Sequence, residues 1–340
     1  MQEDHVRRRR LRAQRLIDPP AADPAEVVRA LVGVQAQDRR APPLALRART
    51  PGISANMVEH ALSGERSIVR TWAMRGTIHL VAADDLPLVL AVFAPVNLRR
   101  AQRRLAELGL PPDVAERGVA EAASVLAEDG PLTRHELAER LRARGVAVAA
   151  EGQAPIHMVA RAANAGVLSE VGVRGAEPLY GRIDPRPLPD RDEALVEVAR
   201  RYESAHAPAG VDDFAAWSGL PAADVRRAWE GVAGGDPAGG GADRAPVRLL
   251  PAFDEWMLGW ASRDFTLPRE YARKAAPGGG IVRPVAIADG RVFATWRLDR
   301  QRRRIEVAPF APIDRATRRG LEEETAAIGA FLGVELRLTA

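Results

Sequence analysis

The strongest constraint on the fold is a recurring order of elements, in which helical segments are closed by a strand–turn–strand hairpin. Helices read over 6–17, from Asp23-Pro24 onward and over 54–63. SIVRTWAMRGTIHLV then alternates β-formers with polar residues around Met74-Arg75-Gly76. A period of two buries one face of a strand, so this segment predicts a hairpin with strands over 67–73 and 77–81. In the second helix Asp23 is the N-cap and Pro24 opens the first turn. Val27, Val28, Leu31 and Val34 share one face of it, and Pro42-Pro43 closes the stretch. The order returns with helices over 84–94, 96–108 and 112–128, then 133–144 and 153–165, then strands in GVLSEVGVRGAEPLYGRI. Thr133 with Glu136 three residues on is a capping box. The helices over 133–144 and 153–165 read as a helix-turn-helix pair, the second in the recognition position. A shorter third set covers 190–205, 211–218 and 222–232.

The composition changes after residue 234. A Gly/Pro-rich linker over 235–246 leads into segments of strand character at 247–251, 281–288, 291–297 and 304–308. Asp289-Gly290 is a strong two-residue hairpin signal. A helix over 313–331 and a strand over 333–338 close the chain. The expected architecture is α+β, with tandem winged-helix units over 1–83, 84–187 and 188–234 and a β-rich, barrel-like domain over 247–340. The 340 residues contain no cysteine, which excludes disulfides, zinc–thiolate sites and thiol nucleophiles. No apolar run reaches the roughly 18 residues of a membrane span, and the basic start MQEDHVRRRR lacks the apolar core of a secretory signal. A cytoplasmic, nucleoid-associated protein is expected. Lys274 is the one lysine, so nearly all cations are arginine and the isoelectric point lies near 10.1. A GC-rich coding bias and phosphate binding both account for that arginine content.

Gln35 and Gln37 flank Ala36 at the end of an apolar helix. In a regular helix such residues point about 200° apart. They face one site only if the backbone leaves helical geometry there, as Asp38 and Pro42 suggest. Otherwise they are surface glutamines on a fraying last turn.

LVGVQAQD resembles the Gln-x-Gln motif of the AlkZ/YcaQ-type DNA glycosylases. RTWAMRGTIHLV at 70–81 looks like that family's wing segment, and LLPAFDEWMLGW at 249–260 and GGGIVRPVAIADGRVFATWR at 278–297 look like its C-terminal segments. The matches fall in the family's order and span nearly the whole chain. The resemblance implies tandem winged helices, a barrel-like C-terminal domain, double-stranded DNA as partner, a monomer, and no metal or cofactor. It implies that Gln35 and Gln37 are catalytic and that the reaction removes alkylated purines, including bulky adducts or interstrand crosslinks, leaving an abasic site. A glutamine is a poor base, but its amide holds a water well. A purine alkylated at N7 is already cationic and needs no proton to leave, so positioning and electrostatics suffice.

The remaining candidates carry less chemistry of their own. Through the resemblance His79 becomes an active-site wall or a DNA contact; a packing role fits the residue equally. Asp254 either supports the oxocarbenium ion or pairs with an arginine. Arg75 and Gly76 at a hairpin tip, and Arg300, Arg302 and Arg303 in a second hairpin, are candidate DNA contacts. Trp256 and Trp260 read as packing, and His135, His157 and His206 as structural. Lys274, in an expected loop, reads as a surface residue, so no Schiff base and no strand nicking are expected. A non-enzymatic winged-helix regulator and a small-molecule hydrolase are the rival readings.

Overall fold

The computed structural model describes residues 2–17, 19–20, 22–232 and 245–340, so the expected linker over 235–246 lies almost wholly outside the described residues. The protein is a mixed α/β structure built on two five-stranded sheets. The first sheet runs β1 (Val34–Gln35), β3 (Ile78–Ala82), β2 (Ile68–Trp72), β4 (Leu168–Arg174), β5 (Glu177–Arg182). The hairpins expected for separate units are therefore strands of one sheet. Their join is the β2–β4 register at Arg70↔Glu170, where the two side chains also form an ion pair.

The second sheet runs β10 (Arg337–Thr339), β9 (Arg304–Pro309), β8 (Arg291–Asp299), β7 (Val285–Ala288), β6 (Arg248–Leu250). It is open, with β6 and β10 at its edges, so the barrel-like expectation is corrected to an open sheet. β10 pairs with β9 in parallel, because helix Arg315–Leu332 carries the chain back before the last strand. The β7–β8 turn places Asp289 at φ 48° and Gly290 at φ 74°, the left-handed pair that Asp-Gly favours.

Most helices fall where capping signals place them. Asp23 and Glu26 form a capping box on helix Pro24–Ala30, and Thr133 and Glu136 do so on Arg134–Ala143. Several stretches differ from expectation, among them the first helix, which is Gln2–Ala13 and not 6–17. Pro42 and Pro43 begin a helix, Ala41–Arg47, rather than ending one, since proline in a first turn lacks only an N–H that would be orphaned anyway. The helices expected over 84–94 and 96–108 are one, Leu86–Glu107, running through Pro95.

The hydrophobic cores cross the chain. Val27, Val28, Leu31, Val34 and Leu80 pack with Leu249, Trp296, Ile305 and Ile328 from the C-terminal third. Leu11 and Leu16, from the start of the chain, pack with Leu250, Trp256 and Val285. The other face of the first sheet, through Val69 and Val81, covers a core with Phe93, Tyr202, Phe214 and Trp217.

Candidate active site

The glutamine motif lies on β1, a strand rather than a helix end. After helix Pro24–Ala30 the backbone turns through Val32 at φ 67°. Gly33 permits the approach that follows, because a Cβ there would sit 2.8 Å from the Met74 methyl. Val34 and Gln35 then pair with Leu80 and His79, and the Ala36 amide extends the ladder to the Ile78 carbonyl at 2.7 Å. Alternation follows from the pleat: Val34 and Ala36 face the apolar core, while Gln35 and Gln37 share the opposite side. Gln35 is buried and Gln37 is exposed, so only the second amide meets solvent directly.

Arg75 comes into contact with Gln35. It occupies the β2–β3 turn at φ 56° but points inward rather than standing at an exposed tip. One guanidinium nitrogen donates to the Trp217 carbonyl, at the C-terminal end of helix Val211–Ser218, where the helix dipole favours a cation. Another donates to Gln35 Oε1 at 3.0 Å. Gln35 Nε2 in turn donates to Gln37 Oε1 at 3.2 Å. Arginine has donors only, so this contact fixes which end of each amide faces which neighbour. Flipping Gln35 would set its NH₂ against the guanidinium and lose a charge-assisted bond of about 1.5–3 kcal/mol. Arg75, expected as a DNA contact, directs these donors at Trp217 and Gln35. Gly76 beside it is exposed and has φ 70°.

Glu255 completes the cluster, and nothing in the sequence pattern singles it out. β1 is an edge strand, and its outward Gln35 N–H is met by Glu255 Oε1 at 3.4 Å. Glu255 Oε2 accepts the Trp217 indole N–H at 3.2 Å. Burial pushes the Glu255 carboxyl above its ordinary range, opposed first by the Arg75 charge, and burial likewise lowers the Arg75 guanidinium. Asp254 is turned elsewhere. It caps helix Glu255–Leu258 and holds Arg49 through two bonds of 2.7 and 2.8 Å, with both side chains fully buried. Its charge is thus neutralised within the fold.

His79 stands across from Gln35 in the sheet and is fully buried. Burial first, then the Arg75 charge, lowers its pKa to about 3. Its Nδ1 lies 3.0 Å from the Thr77 carbonyl and so carries the proton, leaving Nε2 an acceptor. The neutral imidazole sits inside the packing of the sheet with no solvent exposure. His206 is likewise buried, with its pKa lowered to about 3 mainly by burial. Trp256 and Trp260 are buried in packing contacts. Lys274, in the short helix Ala272–Ala275 rather than a loop, lies over the rings of Tyr271 and Phe310. Among the described residues no His/Asp/Glu group is arranged to hold a metal ion, and no helix is long and apolar enough to cross a membrane.

A cleft of about 400 Å³ opens on the other face of the first sheet. Arg39, Arg40, Arg70 and Arg300 line it over an apolar floor that includes Leu44, Leu80 and Phe331. Arg39 and Arg70 are paired with Glu170. Arg40 and Arg300 have no ion-pair partner among the described residues, and both are exposed. Arg300 begins the β8–β9 turn, which also exposes Arg302 and Arg303. Arg302 lies 3.6 Å from Asp299. The cleft does not contain the glutamines; it adjoins them through Arg39 and Arg40, which follow Gln37 closely in the chain.

The chain belongs to the AlkZ-like DNA glycosylase family, whose model matches residues 28–331. An interstrand DNA cross-link repair glycosylase of Streptomyces sahachiroi is 28% identical over 357 aligned positions, covering 95% of each chain. The solved structure of the DNA glycosylase AlkZ of that organism matches with a TM-score of 0.78 over 99% of both chains, at 24% identity, and so shares the fold.

Proposed function

We propose that the protein hydrolyses the N-glycosidic bond of alkylated, cationic purines in double-stranded DNA and leaves an abasic site. The observation that carries this reading is the Gln35–Gln37 pair, one amide buried and clamped, the other exposed. Gln37 Oε1 has a second lone pair beyond its bond from Gln35. That lone pair accepts a hydrogen bond from water and directs it at the anomeric carbon. Among the described residues around the pair, His79 is neutral and buried, Asp254 is held by Arg49, both Glu255 oxygens have donors, and the exposed Asp38 accepts the Arg40 backbone N–H. Such a site suits a leaving group that departs without protonation, and fails on ordinary bases.

The relative named for interstrand cross-link repair supports crosslinks as a substrate here, and bulky adducts belong to the same proposal. Within this reading the helical sets over 1–83, 84–187 and 188–234 act as winged-helix units and 247–340 as a C-terminal domain. The protein works as a monomer, and Arg40, Arg300, Arg302 and Arg303 contact phosphates. Without an amine at the glutamines, the product is an abasic site and the strand stays whole.

The test is a panel of duplexes with defined N7-guanine adducts, from methyl to bulky aromatic, together with an interstrand crosslink. Free base is measured under single turnover, and strand breaks are read with and without alkali. Base release with alkali-dependent breaks is expected. Duplex binding without any base release would favour the regulator reading and overturn this one.

A further inference from the structure

We propose that Arg75 is a positioning residue for the hydrolysis: it holds the Gln35 amide in one orientation and, through it, the water-binding side of Gln37, with the Glu255 carboxyl on the same cluster. This rests on the glycosylase reading above.

A free glutamine amide turns over between two orientations of nearly equal energy, and only one presents its oxygen at a given point. Two neutral amides in contact can satisfy each other either way round. The pair Gln35–Gln37 therefore holds no preference of its own. Arg75 supplies one, because it donates and never accepts. Its bond to Gln35 Oε1 at 3.0 Å turns Gln35 Nε2 toward Gln37, and the 3.2 Å bond that follows turns Gln37 Oε1 inward. Gln37 then offers a water one carbonyl lone pair at a defined place. The guanidinium is held at its other prong by the Trp217 carbonyl. Its Cγ packs against Gly219, where a Cβ would come within 2.9 Å. It has little room to swing toward a DNA strand.

The charge also needs an account. An oxocarbenium-like transition state is cationic, and a bare guanidinium behind Gln35 would oppose it. Glu255 lies on the same cluster, accepting from the Gln35 backbone N–H and the Trp217 indole N–H, and both residues also accept from Arg75 through other atoms. The Glu255 carboxyl is thus the acidic group set against the Arg75 guanidinium behind the glutamines.

The experiment measures two quantities for Arg75→Met and Arg75→Lys. One is single-turnover release of the adduct that the wild type releases fastest among the defined N7-guanine adducts. The other is duplex affinity at several salt concentrations. Arg75→Met should slow release about 10- to 100-fold, the scale of a displaced reacting group, with Kd and its salt slope unchanged. Arg75→Lys keeps the charge but loses the fork, and should recover part of the rate. Wild-type release by Arg75→Met would overturn the proposal. So would a raised Kd with a salt slope shallower by about 0.9, the signature of one phosphate left unneutralised. If Arg75→Met does not melt cooperatively, Arg75→Lys decides alone: slower release at unchanged affinity supports the role, and either wild-type release or weakened binding overturns it. Failure of the wild type on every adduct would instead refute the glycosylase reading.

Discussion

Two hairpin turns in this molecule carry an arginine at positive φ, Arg75 at 56° between β2 and β3 and Arg303 at 49° near the end of the β8–β9 turn. In the sequence they look alike, as basic tips between alternating strands. In the structure they are opposites. Arg75 is part-buried, with donors directed at the Trp217 carbonyl and the Gln35 amide. Arg303 is exposed and has no ion-pair partner among the described residues. A guanidinium whose donors are satisfied inside the protein organises the protein; one whose donors face water is available to a phosphate. Hairpin position does not separate these roles, but the packing of a third element over the turn does. Helix Val211–Ser218 covers the first turn, and helix Arg315–Leu332 leaves the second exposed.

The largest effect expected is at the exposed glutamine that the buried turn organises. Gln37→Ala should slow single-turnover base release by about 10²–10³-fold, the range for losing one hydrogen bond aimed at a transition state, with duplex affinity near normal. Gln37→Glu should keep measurable release, since a carboxylate also holds a water. Full activity in Gln37→Ala would show that the organised cluster does not serve the chemistry, and the contrast between the turns would lose its meaning.

The exposed turn should behave in the converse way. Replacing Arg302 and Arg303 together by Ala should weaken duplex binding and flatten its salt dependence by about 0.9 for each phosphate the turn no longer neutralises. Release from saturated enzyme should be unchanged. Unaltered affinity across salt concentrations would leave this turn without a partner.

Protonation gives a third test. The buried histidines 79 and 206 have pKa values of about 3 in the fold, against about 6.5 when unfolded. Below about pH 6.5 the unfolded chain binds protons that the fold refuses, so stability falls as pH drops from there toward 3. Denaturant midpoints between pH 7 and 4 should show this decline. The pH profile of single-turnover release should show no inflection near 6.5, because His79 stays neutral throughout that range. Such an inflection would make His79 an acid or base and not a wall. The smallest effect expected is none: Lys274→Ala should leave base release and strand integrity untouched.

The sequence points to the glutamines and to the departure from helical geometry around them, but not to the strand that produces it. β1 is only the two residues Val34–Gln35, and its partner strand begins more than forty positions later, so no local period reveals it. The capping boxes at Asp23 and Thr133 and the Asp-Gly turn are legible because each rests on neighbouring residues. Glu255 is not, because its role depends on meeting an edge-strand N–H 220 positions away. The closed barrel fails for a related reason: alternation shows that strands exist, while closure depends on how the last strand pairs, and here it pairs in parallel at an edge.

The interleaving of early and late residues in the same cores also sets when this protein can come into being. Leu11 and Leu16 bury against Trp256 and Val285, and Gln35 receives its carboxylate from Glu255. During synthesis the first strand leaves the ribosome long before those partners exist. Its apolar side must wait, a long sequence separation that makes for slow folding and exposes the nascent chain to chaperones. A product stopped near residue 230 would have both glutamines and no Glu255 beside them.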